Sequence, residues 1–435
     1  MDDLKTFSEN NKLIKNPTNE VFICDFTVSE SSGSPTCLVF SSKSCMRFLD
    51  KALSSPTPML AIDGTFKLNS VGFPLLCVVT QDAYHEIFPI AFAPANTESE
   101  ETISFTLNAL IKAYNILYSK TLKIKYFMSD NAQYTFNAVS KVFGVLEGGH
   151  LNCYFHLKER QRKKALSEHG VAKEDRQHIL DHLDIMQTMI TKNHFEKYWT
   201  LFTNKYCNYK SYCDYFAATY INSRMNKWHF FDIEANVFLT NNICESLNAT
   251  LKRDWTNRER KPLHTFFTIL KDCLIDLAKE NKVFKLKVEP KTDHKILASD
   301  LEKKNLFVKR NNYYFLDREE KVRPSHTMLT NYLTANYDNI EEFKSNHQSL
   351  IVLSWNSILK KATCFCRKGF LQGLCHHKIA LEMTEGVIPK LLRLMPNKKR
   401  GRKRKEPLAW SKEEAPNPNE IPSQKAKKVK QKSRK

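Results

Sequence analysis

The sequence predicts a mixed α/β protein: a sheet with both strand directions and a large helical insertion, then a small metal-binding module and a disordered basic tail. Three observations predict it. Strand-like runs at 59–66, Pro74–Thr80 and Glu86–Ala93 follow one another closely and give way to alternating helix and strand. Residues 171–261, a span of 91 positions, contain neither glycine nor proline, which favours a long helical segment. Cysteines gather at 364–377.

At 435 residues the chain has room for two or three domains and a sizeable core. Its hydrophobic content of 42% is that of an ordinary globular protein, whereas its net charge of +20 is not. Residues 396–435 hold 15 Lys/Arg against four Glu, which is +11 of that total. Such a chain suits a polyanionic partner, nucleic acid before membrane. No run approaches the ~20 apolar residues of a membrane span, and Met-Asp-Asp-Leu-Lys at the start is not a signal peptide. Twelve cysteines without a secretion signal point to reduced thiols, with any cluster more readily metal-binding than disulfide-bonded.

Taken in order, Val21–Phe26 and Thr36–Phe40 alternate as strands around the loop Ser31–Pro35, a hairpin. Ser54-Ser55-Pro56-Thr57-Pro58 breaks the chain before the three-strand meander. Glu101–Tyr118 places Ile103, Leu107, Leu110, Ile111, Tyr114 and Leu117 at helical spacing, with Thr97 and Glu100 as a capping box. Lys123–Met128 is a further strand, Ala132–Phe143 a helix, and Leu151–Phe155 a fifth strand ending at His156. Helices then occupy Ile179–Ile190, Phe195–Phe202, Tyr212–Ile221, a segment running from caps at Thr240-Asn241-Asn242 to Lys252, and 263–285. Phe307–Leu316 and Leu350–Trp355 read as strands, with a short helix from Lys378.

Three acids stand out by position. Asp63 ends the apolar run Met59-Leu60-Ala61-Ile62, Asp130 ends the fourth strand of this series, and Glu245 lies on the helix after the glycine-free segment. Acids at the ends of neighbouring strands can meet at one sheet edge, and a helix across that edge can add a third. Such a trio would hold two divalent cations roughly 3.5–4 Å apart, as in two-metal phosphoryl transfer. Simpler readings stand beside this one. Asp63 could be a turn residue, Asp130 an N-cap, and Glu245 part of a solvated face with Asn248 and Lys252.

Here the motifs gain specificity as a set. Ile62-Asp63-Gly64-Thr65-Phe66 resembles the first-aspartate strand of Mutator-like (MULE) transposases, and Met128-Ser129-Asp130-Asn131-Ala132 their second-aspartate motif. Cys153-Tyr154-Phe155-His156 matches their Cys-x-x-His, and Thr240-Asn241-Asn242-Ile243-Cys244-Glu245-Ser246-Leu247-Asn248 their third-acid motif. The resemblance covers about residues 20–260 in the family's order. It implies an RNase H-like fold, a DDE site of Asp63, Asp130 and Glu245 using Mg²⁺ or Mn²⁺, and supporting roles there for Cys153 and His156.

Cys364-Phe365-Cys366 and, eight residues on, Cys375-His376-His377 offer a Cys₃His set, complete for structural zinc. The pattern resembles the SWIM zinc finger, with Gly373 before Cys375, over about 346–385. The expected ligands are Cys364, Cys366, Cys375 and His377, with His376 as the alternative to His377. The division that follows is a lead-in hairpin at 1–55 and the DDE domain at 56–260, with its insertion at about 157–240. After it come a connector at 261–345, the SWIM finger at 346–386 and the basic tail at 396–435.

The run Asn397–Lys405 centres on Arg400-Gly401-Arg402, followed by Lys403 and Arg404. Its density predicts a nuclear import signal, and its Arg-Gly-Arg core resembles an AT-hook without the following proline. Arg400, Arg402, Lys403 and Arg404 are candidate DNA contacts. The expected partner is DNA, with a homo-oligomer assembled on it, in the nucleus and away from membranes. Only about 20 residues precede the hairpin, and no Cys/His recognition module fits there. Two readings result. One is a transposase cutting and joining DNA ends. The other is a domesticated, catalytically inactive relative acting as a DNA-binding regulator.

Overall fold

The computed structural model describes residues 2–13, 20–28, 35–237, 242–279 and 282–390. Most of the first hairpin's loop, Thr240 and Asn241, and the basic tail with Arg400, Arg402, Lys403 and Arg404 lie outside the described residues. Strands β1 (Val21–Thr27), β2 (Cys37–Ser42), β3 (Met59–Thr65), β4 (Leu75–Gln81), β5 (Ile87–Pro94), β6 (Tyr126–Ser129) and β7 (Gly149–Asn152) form one sheet in the order β1-β2-β5-β4-β3-β6-β7. The expected hairpin, β1 with β2, is antiparallel and joins the sheet through β5. The meander β3-β4-β5 is antiparallel, whereas β6 runs parallel to β3 and β7 parallel to β6. A parallel pair needs a crossover, and the helix Gln133–Phe143 supplies it between β6 and β7.

Strand side chains alternate between faces, and both faces here are covered. Met59, Ala61, Cys77, Val79 and Met128 pack with Cys244, Leu247, Phe266, Leu270 and Leu274, from the helices Asn242–Thr250 and Leu263–Lys279. Leu60, Ile62, Leu76, Val78 and Phe127 pack on the opposite side with Leu49, Ile103, Leu107 and Leu110, from the helices Lys43–Leu53 and Glu100–Tyr118. By this parity Asp63, two residues after Ala61, stands on the face that the helix Asn242–Thr250 covers. Asp130, two after Met128, continues the same parity just past β6.

Two local expectations around the first sheet are corrected. The strand expected over Leu151–Phe155 ends at Asn152, because its partner β6 ends opposite it at Ser129. A helix, Tyr154–Arg160, starts there instead, so Cys153 is its N-terminal flank and His156 lies in its first turn. The capping box of Glu100–Tyr118 is built by Ser99 and Thr102, not Thr97 and Glu100. Ser99 Oγ accepts from the Thr102 N–H at 3.4 Å, and Thr102 Oγ1 from the Ser99 N–H at 3.0 Å.

The glycine-free stretch forms the helices Lys173–Gln187, Lys192–Lys205 and Lys210–Phe216. They pack around Trp228, whose indole N–H donates to the Tyr220 carbonyl at 2.9 Å. This core also takes in Phe315, Tyr332, Phe343 and Val352. A second, antiparallel sheet follows, β8 (Val308–Arg310), β9 (Tyr313–Asp317), β10 (Leu350–Asn356) and β11 (Lys361–Cys364), in the order β11-β10-β9-β8. The single strand expected over Phe307–Leu316 is thus a hairpin, turned at Asn311 with φ +52. The helices Thr292–Lys304 and His376–Thr384 close its apolar side through Ala298, Leu301, Ile379 and Leu381. None of the twelve cysteines is in a disulfide. No helix among the described residues is long and apolar enough to cross a membrane.

Candidate functional site

β3 and β6 are adjacent and parallel, with Ala61 paired to Met128. Asp63 and Asp130, each two residues further on, therefore arrive at one level on one face. Burial, then the charges of Asp130, Glu98 and Glu245, push the Asp63 carboxyl up to about 7. Burial also raises Asp130, against the Ala132 N–H, which donates to its Oδ1 at 3.3 Å, and against the nearby His156.

The helix Asn242–Thr250 brings Glu245 and Asn248 over these acids. Asn248 is 7% exposed, and its Nδ2–H donates to Asp63 Oδ2 at 2.9 Å. The helix face carrying it therefore lies against the sheet, not in solvent. Glu245 Oε1 sits 3.0 Å from His156 Nε2. Cys153 is fully buried and packs in the apolar core beneath. Asp63, Asp130 and Glu245 are not among the sets of described residues whose ligand atoms all lie within 4.8 Å of one another. Their donor chemistry nevertheless suits a hard divalent cation. After burial, the largest influences on Asp63 are three other carboxylates, and a cation among them would offset that mutual repulsion.

Residues 59–160 match the family model described as MULE transposase domain. The chain carries a MULE transposase domain. No curated protein matches it. The MULE transposase domain spans β3 through the helix Tyr154–Arg160, so it contains Asp63, Asp130, Cys153 and His156. Glu245 and the C-terminal cysteines lie beyond the matched residues.

The second site stands downstream of the MULE transposase domain. Cys364 ends β11, Cys366 caps the helix Arg367–Gln372, and Cys375 caps the helix His376–Thr384. Together with His377 they place four ligand atoms within 4.8 Å of one another. His377 Nδ1 lies 3.9 Å from Cys364 Sγ. The sulfurs accept backbone N–H groups, Cys366 from Gly369 at 3.1 Å and Cys375 from Lys378 at 3.5 Å. At Cys366, hydrogen bonding from Cys364 and then Cys375 holds the thiol well below its usual range. Burial works against a charge on His377, but Cys366 and Cys375 outweigh it and push the imidazole up to about 10. The centre of this cluster is thus built for positive charge, and a buried Cys₃His set can hold zinc. The arrangement is compatible with a SWIM-like zinc site.

His376 belongs to a different grouping. Its Nε2 and that of His377 approach Glu320 Oε1 at 2.7 and 2.9 Å, so Glu320 orients His377 from outside with Nδ1 turned to the sulfurs. Two residues of this module escape motif reasoning. A Cβ on Gly369 would lie 2.7 Å from Cys375 Sγ and 2.8 Å from Cys364 Cβ, so only glycine fits that approach. Glu320 sits 44 positions before Cys364 in a turn with φ +57, and no ligand spacing signals it.

Proposed function

We propose that the chain is a MULE-type DDE transposase, or a protein derived from one, that cleaves and joins DNA strands at Asp63, Asp130 and Glu245. The observation that carries this reading is the parallel pairing of β3, which bears Asp63, with β6, which ends one residue before Asp130, while the charge of Glu245 acts on Asp63. Strand order supports an RNase H-like core of β5-β4-β3-β6-β7, three antiparallel strands followed by two parallel ones. In this reading the division of the chain is the one expected from sequence, with the helical insertion before Glu245.

The three carboxylates would hold Mg²⁺ or Mn²⁺, which when bound supplies an activated oxygen nucleophile and charge neutralisation at the leaving oxygen. The protein's own groups set the geometry. Asn248 fixes the Asp63 carboxylate by donating to Oδ2. His156, 3.0 Å from Glu245, donates from Nε2 and fixes that side chain from the opposite helix. Zinc at Cys364, Cys366, Cys375 and His377 would be structural. The basic tail, with Arg400, Arg402, Lys403 and Arg404, supplies DNA affinity and nuclear import, and protomers assemble on the DNA ends.

The test is Mn²⁺-dependent nicking of supercoiled DNA by the wild type and by Asp63→Asn. Nicking by the wild type alone supports the metal site. DNA binding with no nicking by either protein favours the domesticated, catalytically inactive regulator.

A further inference from the structure

Glu98 lies in the turn between β5 and the helix Glu100–Tyr118, 35 residues from Asp63 in sequence. An acid ahead of a helix ordinarily serves the helix terminus. Here Ser99 and Thr102 already cap that end, and the Glu98 side chain turns to the sheet. It lies over Gly64, so close that a Cβ on Gly64 would collide with its carboxylate. The Tyr134 hydroxyl, from the first turn of the helix Gln133–Phe143, is its polar neighbour. β3, β5 and the helix after β6 thus converge on one carboxylate beside Asp63 and Asp130.

A cluster of acids alone would not define a site. A second observation points to a ligand. Asn248 is 7% exposed and has one amide edge on Asp63, while its Oδ1 is buried with no hydrogen-bond partner. Asn131 Oδ1, next to Asp130, is likewise buried and unpartnered. A buried amide oxygen without a donor is costly. A cation among the acids would give such an oxygen a positive partner.

We propose that Glu98 is a fourth carboxylate of the divalent-cation site, seated by Gly64 and oriented by Tyr134. This rests on the reading that Asp63, Asp130 and Glu245 hold a divalent cation. The glycine following Asp63 then has a specific role, since it admits the Glu98 carboxylate beside the first aspartate. Glu98 adds the charge that two divalent ions, together +4, require for balance by four carboxylates.

The test is Mn²⁺ binding by the full-length, zinc-loaded chain, followed by the loss of the free Mn²⁺ electron paramagnetic resonance signal. Wild type, Asp63→Asn, Glu98→Gln and Tyr134→Phe are compared. Loss of even an outer partner of a ligand costs roughly 10–100-fold in metal affinity, so Glu98→Gln is expected to weaken Mn²⁺ binding at least about tenfold. Tyr134→Phe keeps the charge and loosens its placement, and a smaller loss in the same direction is expected. Glu98→Gln binding within twofold of wild type, while Asp63→Asn binds none, overturns the role of Glu98 and leaves the trio intact. No binding by the wild type overturns the trio and Glu98 together. Should Glu98→Gln fail to fold by circular dichroism, Tyr134→Phe decides: wild-type affinity there counts against the proposal and weakened affinity supports it.

Discussion

Asp63 carries a charge that its surroundings disfavour. Its carboxyl is pushed up to about 7 by burial first and by three neighbouring acids second, whereas in the unfolded chain it titrates near ~4. The folded state therefore binds this proton more tightly. The stability this contributes is complete below about 4 and lost as pH rises towards about 7. Without added divalent cation, Asp63→Asn is expected to match the wild type at pH 4 and exceed it at pH 8 by about 4 kcal/mol. Thermal midpoints at the two pH values measure this, and equal midpoints at pH 8 would show that the charge costs nothing. His156 permits a second test at this scale. His156→Ala releases Glu245 and should lower nicking by roughly 10–100-fold with an unchanged circular dichroism spectrum. Unaltered nicking removes His156 from the site. Asp63 and Asp130 were legible in sequence because each closes an apolar run. Glu98 was not, because nothing in Asn96-Thr97-Glu98-Ser99 differs from an ordinary helix entry. What sets Glu98 apart is a contact with Gly64 across the sheet.

Among the elements, the meander, β6 and the helix that follows it were legible from period and turn chemistry. Two misses fall where one element enters the next without a loop. No element was expected over Lys43–Leu53, a helix that starts at the residue after β2, although Cys45, Leu49 and Ala52 stand at helical spacing. At β7 the limit was set by the length of β6, a neighbour distant in sequence. The C-terminal Cys/His cluster shows the same division. Its ligands announce themselves by residue type, but the helix Arg367–Gln372 fits over them only through Gly369, whose glycine requirement is a packing fact. Gly369→Ala would force a Cβ against Cys375 Sγ and Cys364 Cβ, and such overpacking costs about 1–3 kcal/mol. That substitution should lower the zinc content of the purified chain, measured by elemental analysis. Full zinc retention would mean that the helix can shift away.

On the scale of the whole molecule, charge is divided unevenly. Residues 396–435 hold +11 of the net +20, and the remaining +9 is spread over 395 positions. Residues 1–395 carry acids on the face proposed for chemistry, which repel phosphate unless cations offset them. The tail is then the obvious source of long-range attraction to DNA, and its contribution can be separated by salt. Each phosphate neutralised adds about 0.9 to the slope of log affinity against log salt, so even five of the tail's cations on phosphates would account for about 4.5. A chain ending at residue 395 should bind duplex DNA with a slope shallower by several units, read by fluorescence anisotropy between 50 and 300 mM salt. The same truncation, fused to a fluorescent protein, should spread through the cytoplasm. An unchanged slope with lost nuclear accumulation would leave the tail as an import signal and place the DNA-binding cations within residues 1–395. A shallower slope with retained accumulation would assign it to DNA and put the import signal elsewhere.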